Sequence, residues 1–162
     1  MCWHCDNPDK TRADYLDLIV GTIAEHGVFL QHVEKDRWRP PFTYTVGLTM
    51  LGHPELLVTG MHQRRAGPCL NRIAHGLRFH AAPDYVAGDL HAWPEHPEIP
   101  ALMEVVDVAV PTAHLLMAEE IFGPHIRAVQ LVYVDDRGRW PWQVGFRGDQ
   151  PVLGPRADVR AG

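Results

Sequence analysis

The octapeptide Phe42-Thr43-Tyr44-Thr45-Val46-Gly47-Leu48-Thr49 decides the fold class of this 162-residue chain. Apolar side chains alternate along it with threonine or glycine, and a period of two is typical of a strand that buries one face. A short connection leads to Glu55-Leu56-Leu57-Val58-Thr59, a nearly continuous apolar run that fits a strand covered on both faces. The two segments are predicted to form the central hairpin of a sheet.

Helical and strand patterns flank this hairpin on both sides. The helices are predicted at residues 7–27, 67–77 and 111–122. Further strands are predicted at 28–33, 103–110, 128–134 and 139–146, and the last two are expected to form a second hairpin. Strands joined by short turns favour an α+β fold: one compact domain whose mainly antiparallel sheet of about five or six strands packs with three helices.

The length and composition indicate one globular domain. A chain of 18.3 kDa with 46% hydrophobic and 22% charged residues is close to the globular average. We place the domain at residues 1–146. Residues 147–162 are rich in glycine, proline and arginine, and we expect an irregular C-terminal tail there.

The charge balance and the hydropathy limit the partners. The chain carries 15 Lys and Arg against 20 Asp and Glu. The net charge of −5 is unfavourable for binding the negatively charged phosphates of a nucleic acid. It contains no apolar stretch of the roughly 18 residues that a membrane helix needs, and it does not open on a signal-peptide pattern. We therefore expect neither nucleic acid nor membrane as a partner, and a cytoplasmic location.

The N-terminal motif Cys2-Trp3-His4-Cys5 is the most reactive-looking feature. Two thiolates separated by two residues can converge on one zinc ion, and His53, His91 and His96 are candidates to complete the coordination. Alternatively, the motif precedes a helix N-terminus, which would lower a thiol pKa and suit a redox or nucleophilic cysteine. A third alternative is that both cysteines are ordinary reduced residues.

Polar residues near the central hairpin form a second set of candidates. His53 and Glu55 lie two residues apart and would make an acid/base pair beside a cleft, although turn capping and ion pairing explain them as well. Tyr44, Gln130 and Trp142 are candidates to contact an organic cofactor such as a flavin.

Other motifs point away from common enzyme classes. The chain has no glycine-rich phosphate loop, no GxSxG elbow and no HExxH. Cys69 lies on a predicted amphipathic helix, where a buried structural cysteine is the usual outcome.

Several segments together resemble a bacterial family, domain of unknown function 4262. They are Cys2-Trp3-His4-Cys5, the stretch from Pro41 to Leu48, Gly52-His53-Pro54-Glu55-Leu56, the stretch from Val129 to Tyr133, and the stretch from Asp136 to Trp142. The resemblance runs from residue 1 to about residue 153. It implies a small single-domain protein without an assigned reaction, and its motif positions are Tyr44, Gly47, His53, Glu55, Gln130 and Trp142.

Three functional classes follow. The first is a small cytosolic binding or regulatory module for a small molecule or a protein, with zinc at Cys2 and Cys5 as a stabilising metal. The second is a thiol-dependent redox or nucleophilic enzyme that uses Cys2 or Cys5, and the third is a flavin-binding or other organic-cofactor protein. Whether the protein is an enzyme stays open at this point.

Overall fold

The structure is a computed structural model that describes residues 3–80 and 85–158. Its helices are α1 (Trp3–Asp6), α2 (Arg12–His26), α3 (Gln63–Phe79) and α4 (Leu116–Phe122). Its strands are β1 (Phe29–Val33), β2 (Phe42–Val46), β3 (Glu55–Thr59), β4 (Leu90–His91), β5 (Met103–Asp107) and β6 (Ala128–Tyr133). None of the helices described is long and apolar enough to cross a membrane.

The six strands form one mixed sheet in the order β1-β2-β3-β6-β5-β4. The pairing of β3 with β6 is parallel, and the other four pairings are antiparallel. The predicted central hairpin is present, since β2 runs antiparallel to β3 with Phe42 opposite Thr59. The prediction of an α+β domain with a mainly antiparallel sheet is confirmed.

The predicted second hairpin, with a strand at 139–146, is wrong. Both edges of β6 are already occupied, by β3 on one side and by β5 on the other. The Asp135 carboxylate instead accepts hydrogen bonds at 2.9 Å from the backbone N–H groups of Arg137, Arg139 and Arg147. These bonds fold the chain back on itself directly after β6.

Two of the predicted element boundaries shift for local reasons. Helix α3 begins at Gln63, before the predicted start near residue 67, because the His62 side chain caps it by accepting a hydrogen bond from the Arg64 N–H at 3.2 Å. The helix predicted at 111–122 is divided: residues Pro111–Ala113 form a 3-10 turn, and α4 begins at Leu116.

Each face of the sheet carries its own hydrophobic core. The first face packs on α3, and its buried residues include Leu56, Val58, Leu70, Ile73, Val105 and Leu131. The second face packs on α2 and α4, and its buried residues include Ile19, Ile23, Tyr44, Val46, Leu57 and Leu115. The sheet is therefore the middle of three layers.

The C-terminal segment is irregular in conformation but is attached to the sheet. The Gln130 side chain on β6 donates to the Pro151 carbonyl at 2.7 Å and accepts from the Leu153 N–H at 2.7 Å. The Gln150 side chain makes two bonds of 2.9 Å with the backbone of Tyr133. Leu153 of this segment packs against the core on the second face.

Candidate functional site

A cleft of about 450 Å³ follows strand β1, which forms one edge of the sheet. Its lining comes from three parts of the fold. Helices α1 and α2 contribute Trp3, His4, Tyr15 and Leu18. Strand β1 and the residue after it contribute residues 29–34, and the start of α3 contributes Gln63. We call it the edge-strand cleft. Its volume lies within the usual range of ligand sites, about 300–1,000 Å³.

The start of α2 is fixed by its own sequence, and this places Tyr15 beside the cleft. The Thr11 side chain accepts a hydrogen bond from the Asp14 N–H, and the Asp14 carboxylate accepts one from the Thr11 N–H, a reciprocal capping box. The helix ends at Gly27, whose φ of 82° is left-handed and suits glycine. The stripe of residues on α2 that faces the sheet then begins with Tyr15.

Aromatic side chains form the α1 and α2 side of the cleft. The ring centroids of Trp3 and Tyr15 lie 4.8 Å apart, and those of Tyr15 and Phe29 lie 6.3 Å apart with the rings nearly perpendicular. His4 also contacts Tyr15, at 5.6 Å between centroids. Contacts of this kind hold the short helix α1 against α2 and offer a broad apolar surface to a ligand.

Neutral polar groups lie beside these aromatic rings. The Tyr15 hydroxyl donates to Gln31 Oε1, and Gln31 Nε2 donates to the His32 carbonyl at 3.2 Å. His32 Nδ1 lies 2.7 Å from the Thr43 hydroxyl oxygen. Burial lowers the pKa of His32. A neutral imidazole offers one hydrogen-bond donor and one acceptor, so the cleft combines apolar surface with hydrogen-bonding groups.

A second cavity, of about 430 Å³, is a weaker candidate. Its lining is largely apolar and includes Val20, Met50 and Phe122. The Arg78 guanidinium also lines it, but it donates to the His26 carbonyl at the end of α2. Ligand sites usually combine apolar surface with several polar groups that fix orientation, and the edge-strand cleft meets that description better.

Glu55 is fully buried, and its carboxylate holds the chain that follows β2. Oε1 accepts hydrogen bonds from the Gly47 N–H at 2.9 Å and from the N–H and hydroxyl of Thr49 at 3.0 and 2.8 Å. Oε2 accepts from the Thr45 hydroxyl at 2.6 Å and the Leu48 N–H at 3.3 Å. Strand β2 therefore ends at Val46, three residues before the end of the predicted strand.

Tyr44, Gln130 and Trp142, the predicted cofactor contacts, lie in three separate environments. Tyr44 is 1% exposed, its hydroxyl accepts from the Met117 N–H at 3.0 Å, and burial raises its pKa. Gln130 is fully buried and binds the C-terminal segment. Trp142 is partly exposed, with the Arg156 guanidinium carbon 3.6 Å from its ring centroid. The polar atoms of Tyr44 and Gln130 are thus used within the protein.

The three candidate histidines occur in different parts of the fold. His53 precedes Glu55 by two residues, and its backbone N–H donates to the Leu48 carbonyl at 3.2 Å. His91 lies on β4, and its Nε2 is buried without a hydrogen-bond partner in the part of the chain described. His96 Nδ1 lies 3.5 Å from a carboxylate oxygen of Glu98.

No three His, Cys, Asp or Glu side chains among residues 3–80 and 85–158 are arranged to hold a metal ion. Cys5 is exposed on α1, at the β1 edge of the sheet, whereas His91 lies on β4 at the opposite edge. Five strand spacings separate the two edges, about 24 Å. Cys2 lies outside the described residues, so zinc or redox chemistry at Cys2 and Cys5 stays a prediction.

Cys69 has the structural role predicted for it. The side chain is fully buried on α3. Burial raises the pKa of its thiol to about 12, so the reactive thiolate is scarce at neutral pH. Cys69 is therefore a buried thiol that is mostly protonated in the folded protein.

Sequence reasoning missed the residues that give the edge-strand cleft its polar character. Tyr15, Gln31, His32 and Gln63 belong to no recognisable motif. A signal was present in the strand Phe29-Leu30-Gln31-His32-Val33, which carries neutral polar residues on both faces. Polar residues on both faces fit an edge strand better than a central strand, whose two faces both pack against other layers.

Comparisons with known proteins give a family and no activity. No curated protein and no solved structure matches the chain. The model of one family, described as a domain of unknown function (DUF4262), matches residues 22–147 and so includes both the edge strand and the Glu55 turn. The chain belongs to this family, DUF4262.

Proposed function

We propose that this protein is a binding module whose ligand occupies the edge-strand cleft. One observation carries the proposal: the lining joins the aromatic side chains of Trp3, Tyr15 and Phe29 to the neutral polar side chains of Gln31 and His32. Such a lining suits a ligand that has an apolar part and hydrogen-bonding groups.

Among the described residues, the side chains that line the cleft carry little formal charge, which favours an uncharged ligand. Glu34 is the lining residue with a formal charge at pH 7, since the others are apolar, amide, hydroxyl or histidine side chains. His32 is held neutral by burial, which lowers its pKa. A strongly anionic ligand would find no Lys or Arg among the lining residues.

Two-dimensional amide NMR spectra with a library of small aromatic fragments test the proposal. We expect fragments to shift the amide signals of residues 30–33 and Gln63, because these residues border the aromatic surface. The variant Trp3→Ala removes part of that surface and should weaken the binding of the fragments. Trp38→Ala is the matched control, because Trp38 is 80% exposed in the loop after β1 and does not line the cleft.

The result has two decisive forms. Shifts at the cleft that are weakened in Trp3→Ala and unchanged in Trp38→Ala support the proposal. If no fragment shifts the cleft signals, or if Trp3→Ala binds the fragments as tightly as the wild type, the edge-strand cleft is not a ligand site.

A further inference from the structure

The hydrogen-bond pattern of β2 shows which of its residues bond to β1. The Gly60 N–H donates to the Pro41 carbonyl at 2.7 Å, so residues 41 and 60 are a hydrogen-bonded pair at the end of the β2–β3 ladder. Backbone bonding alternates along an antiparallel strand, so residues 43 and 45 also face β3. The backbone groups of residues 42, 44 and 46 therefore face β1.

The register between β1 and β2 then fixes the outer edge of β1. Residues 29, 31 and 33 lie opposite residues 46, 44 and 42, so their backbone groups bond to β2. The backbone groups of Leu30 and His32 point away from the sheet, into the edge-strand cleft. Neither the Leu30 N–H nor the His32 N–H has a hydrogen-bond partner among the residues described. The His32 carbonyl accepts from the side chain of its own neighbour, Gln31.

Among residues 3–80 and 85–158, this edge lacks the features that usually prevent another strand from adding to it. Natural edge strands are short, charged, interrupted by proline or covered. The opposite edge is short, since β4 has two residues. Strand β1 has five residues, Phe-Leu-Gln-His-Val, with no charge and no proline. An unprotected edge at the bottom of a cleft is the arrangement that accepts an extended peptide.

We propose that the ligand of the edge-strand cleft is an extended segment of a partner polypeptide that adds to β1 as a seventh strand. The backbone of the segment hydrogen-bonds to the N–H and C=O groups of Leu30 and His32, and its own N–H replaces the Gln31 side chain at the His32 carbonyl. This inference rests on the proposed function, because it requires the cleft to be the ligand site.

The pleat of the sheet predicts the sequence pattern of that segment. The side chains of Phe29 and Gln31 project toward Tyr15, which contacts both of them. Residues of the added strand beside Phe29 and Gln31 project in the same direction and meet the aromatic surface, so they are apolar. The intervening residues project toward Gln63 and His32 and are polar. Bound segments should alternate apolar and polar residues.

Amide hydrogen exchange with a peptide selected from a random-sequence display library tests strand addition. In the free protein the amides of Leu30 and His32 should exchange fast, and those of Gln31 and Val33 slowly, because only the latter bond to β2. Saturation with the peptide should slow Leu30 and His32 by at least about tenfold, since their N–H groups gain partners. A peptide N-methylated at an amide facing β1 should lose binding, whereas methylation of the neighbouring amide should not.

Each alternative result is distinguishable. If the peptide shifts the cleft signals but leaves Leu30 and His32 fast, the cleft is a ligand site and strand addition is wrong. If no peptide shifts the cleft signals while the aromatic fragments do, the inference fails and the proposed function stands; if neither shifts them, both fail. If Leu30 and His32 are already slow without peptide, and more so at higher protein concentration, a second copy of the chain occupies the edge and the inference is overturned.

Discussion

Replacement of Glu55 tests whether its buried carboxylate organises the centre of the fold. Five hydrogen bonds reach its two oxygens, three at Oε1 and two at Oε2. A hydrogen bond to a charged group contributes about 1.5–3 kcal/mol, and the contributions are not additive because the same turn makes all five. We expect Glu55→Ala to lower the free energy of unfolding by about 4 kcal/mol, a large part of the about 5–15 kcal/mol that a domain usually has.

Glu55→Gln separates the charge from the shape. The glutamine carbonyl can take the place of Oε1 and keep its three donors. The glutamine NH2 takes the place of Oε2, and it cannot accept the hydrogen bonds that the Thr45 hydroxyl and the Leu48 N–H donate there. The Thr45 hydroxyl oxygen already accepts from the Leu56 N–H at 2.8 Å. We expect a loss of about 2 kcal/mol for Glu55→Gln.

Urea denaturation followed by circular dichroism measures both losses. Glu25→Gln is the matched control, because the Glu25 side chain is 76% exposed, and it should change the free energy of unfolding by less than about 0.5 kcal/mol. If Glu55→Ala lies within about 1 kcal/mol of the wild type, the five hydrogen bonds do not hold the turn and the reasoning is refuted.

Three further predictions follow from buried groups. Iodoacetamide should not label Cys69 in the native protein, because burial raises the pKa of its thiol to about 12, and it should label Cys69 in urea. Mass spectrometry measures the labelling, and fast labelling of the native protein would contradict this prediction. Burial lowers the pKa of His32 and His91, so the unfolded chain binds more protons than the folded chain as the pH falls below about 6.5. The free energy of unfolding should therefore decrease as the pH falls from about 7 to 5. The decrease should be smaller in a variant with both histidines replaced by glutamine, and equal decreases in the two proteins would show that these histidines do not cause it. Arg156→Ala removes both hydrogen bonds to Glu104, which is 1% exposed, and should lower the free energy of unfolding by about 2 kcal/mol in urea; no change would show that the pair is not structural.

The central hairpin was predictable from the sequence because its information is local. The alternation of residues 42–48 and the apolar run at 55–59 define two strands, and a short connection fixes how they pair. The placement of β6 was not predictable in the same way. Its parallel pairing with β3 joins residues more than 70 positions apart, and no local pattern distinguishes that pairing from a hairpin with residues 139–146.

The roles of the motif residues likewise depended on distant partners. Glu55 and Gln130 were identified as candidates by type and motif, as groups that react or bind a cofactor. In the structure, Glu55 anchors a turn whose donors lie six to ten residues away. Gln130 anchors the C-terminal segment through residues 21 and 23 positions away. The edge-strand cleft was missed because it requires α1 to pack beside an edge strand, which sequence periodicity does not specify.

The affinity of a selected peptide for wild type, Trp3→Ala and Trp38→Ala is the most direct test of the edge-strand cleft as the binding site. A tryptophan that is a hot spot of a binding site typically contributes at least about 2 kcal/mol, so Trp3→Ala should raise the Kd by about 30-fold. Trp38→Ala should leave the Kd unchanged, because Trp38 does not line the cleft. Equal Kd values for the wild type and Trp3→Ala would contradict the assignment of the binding site to the edge-strand cleft.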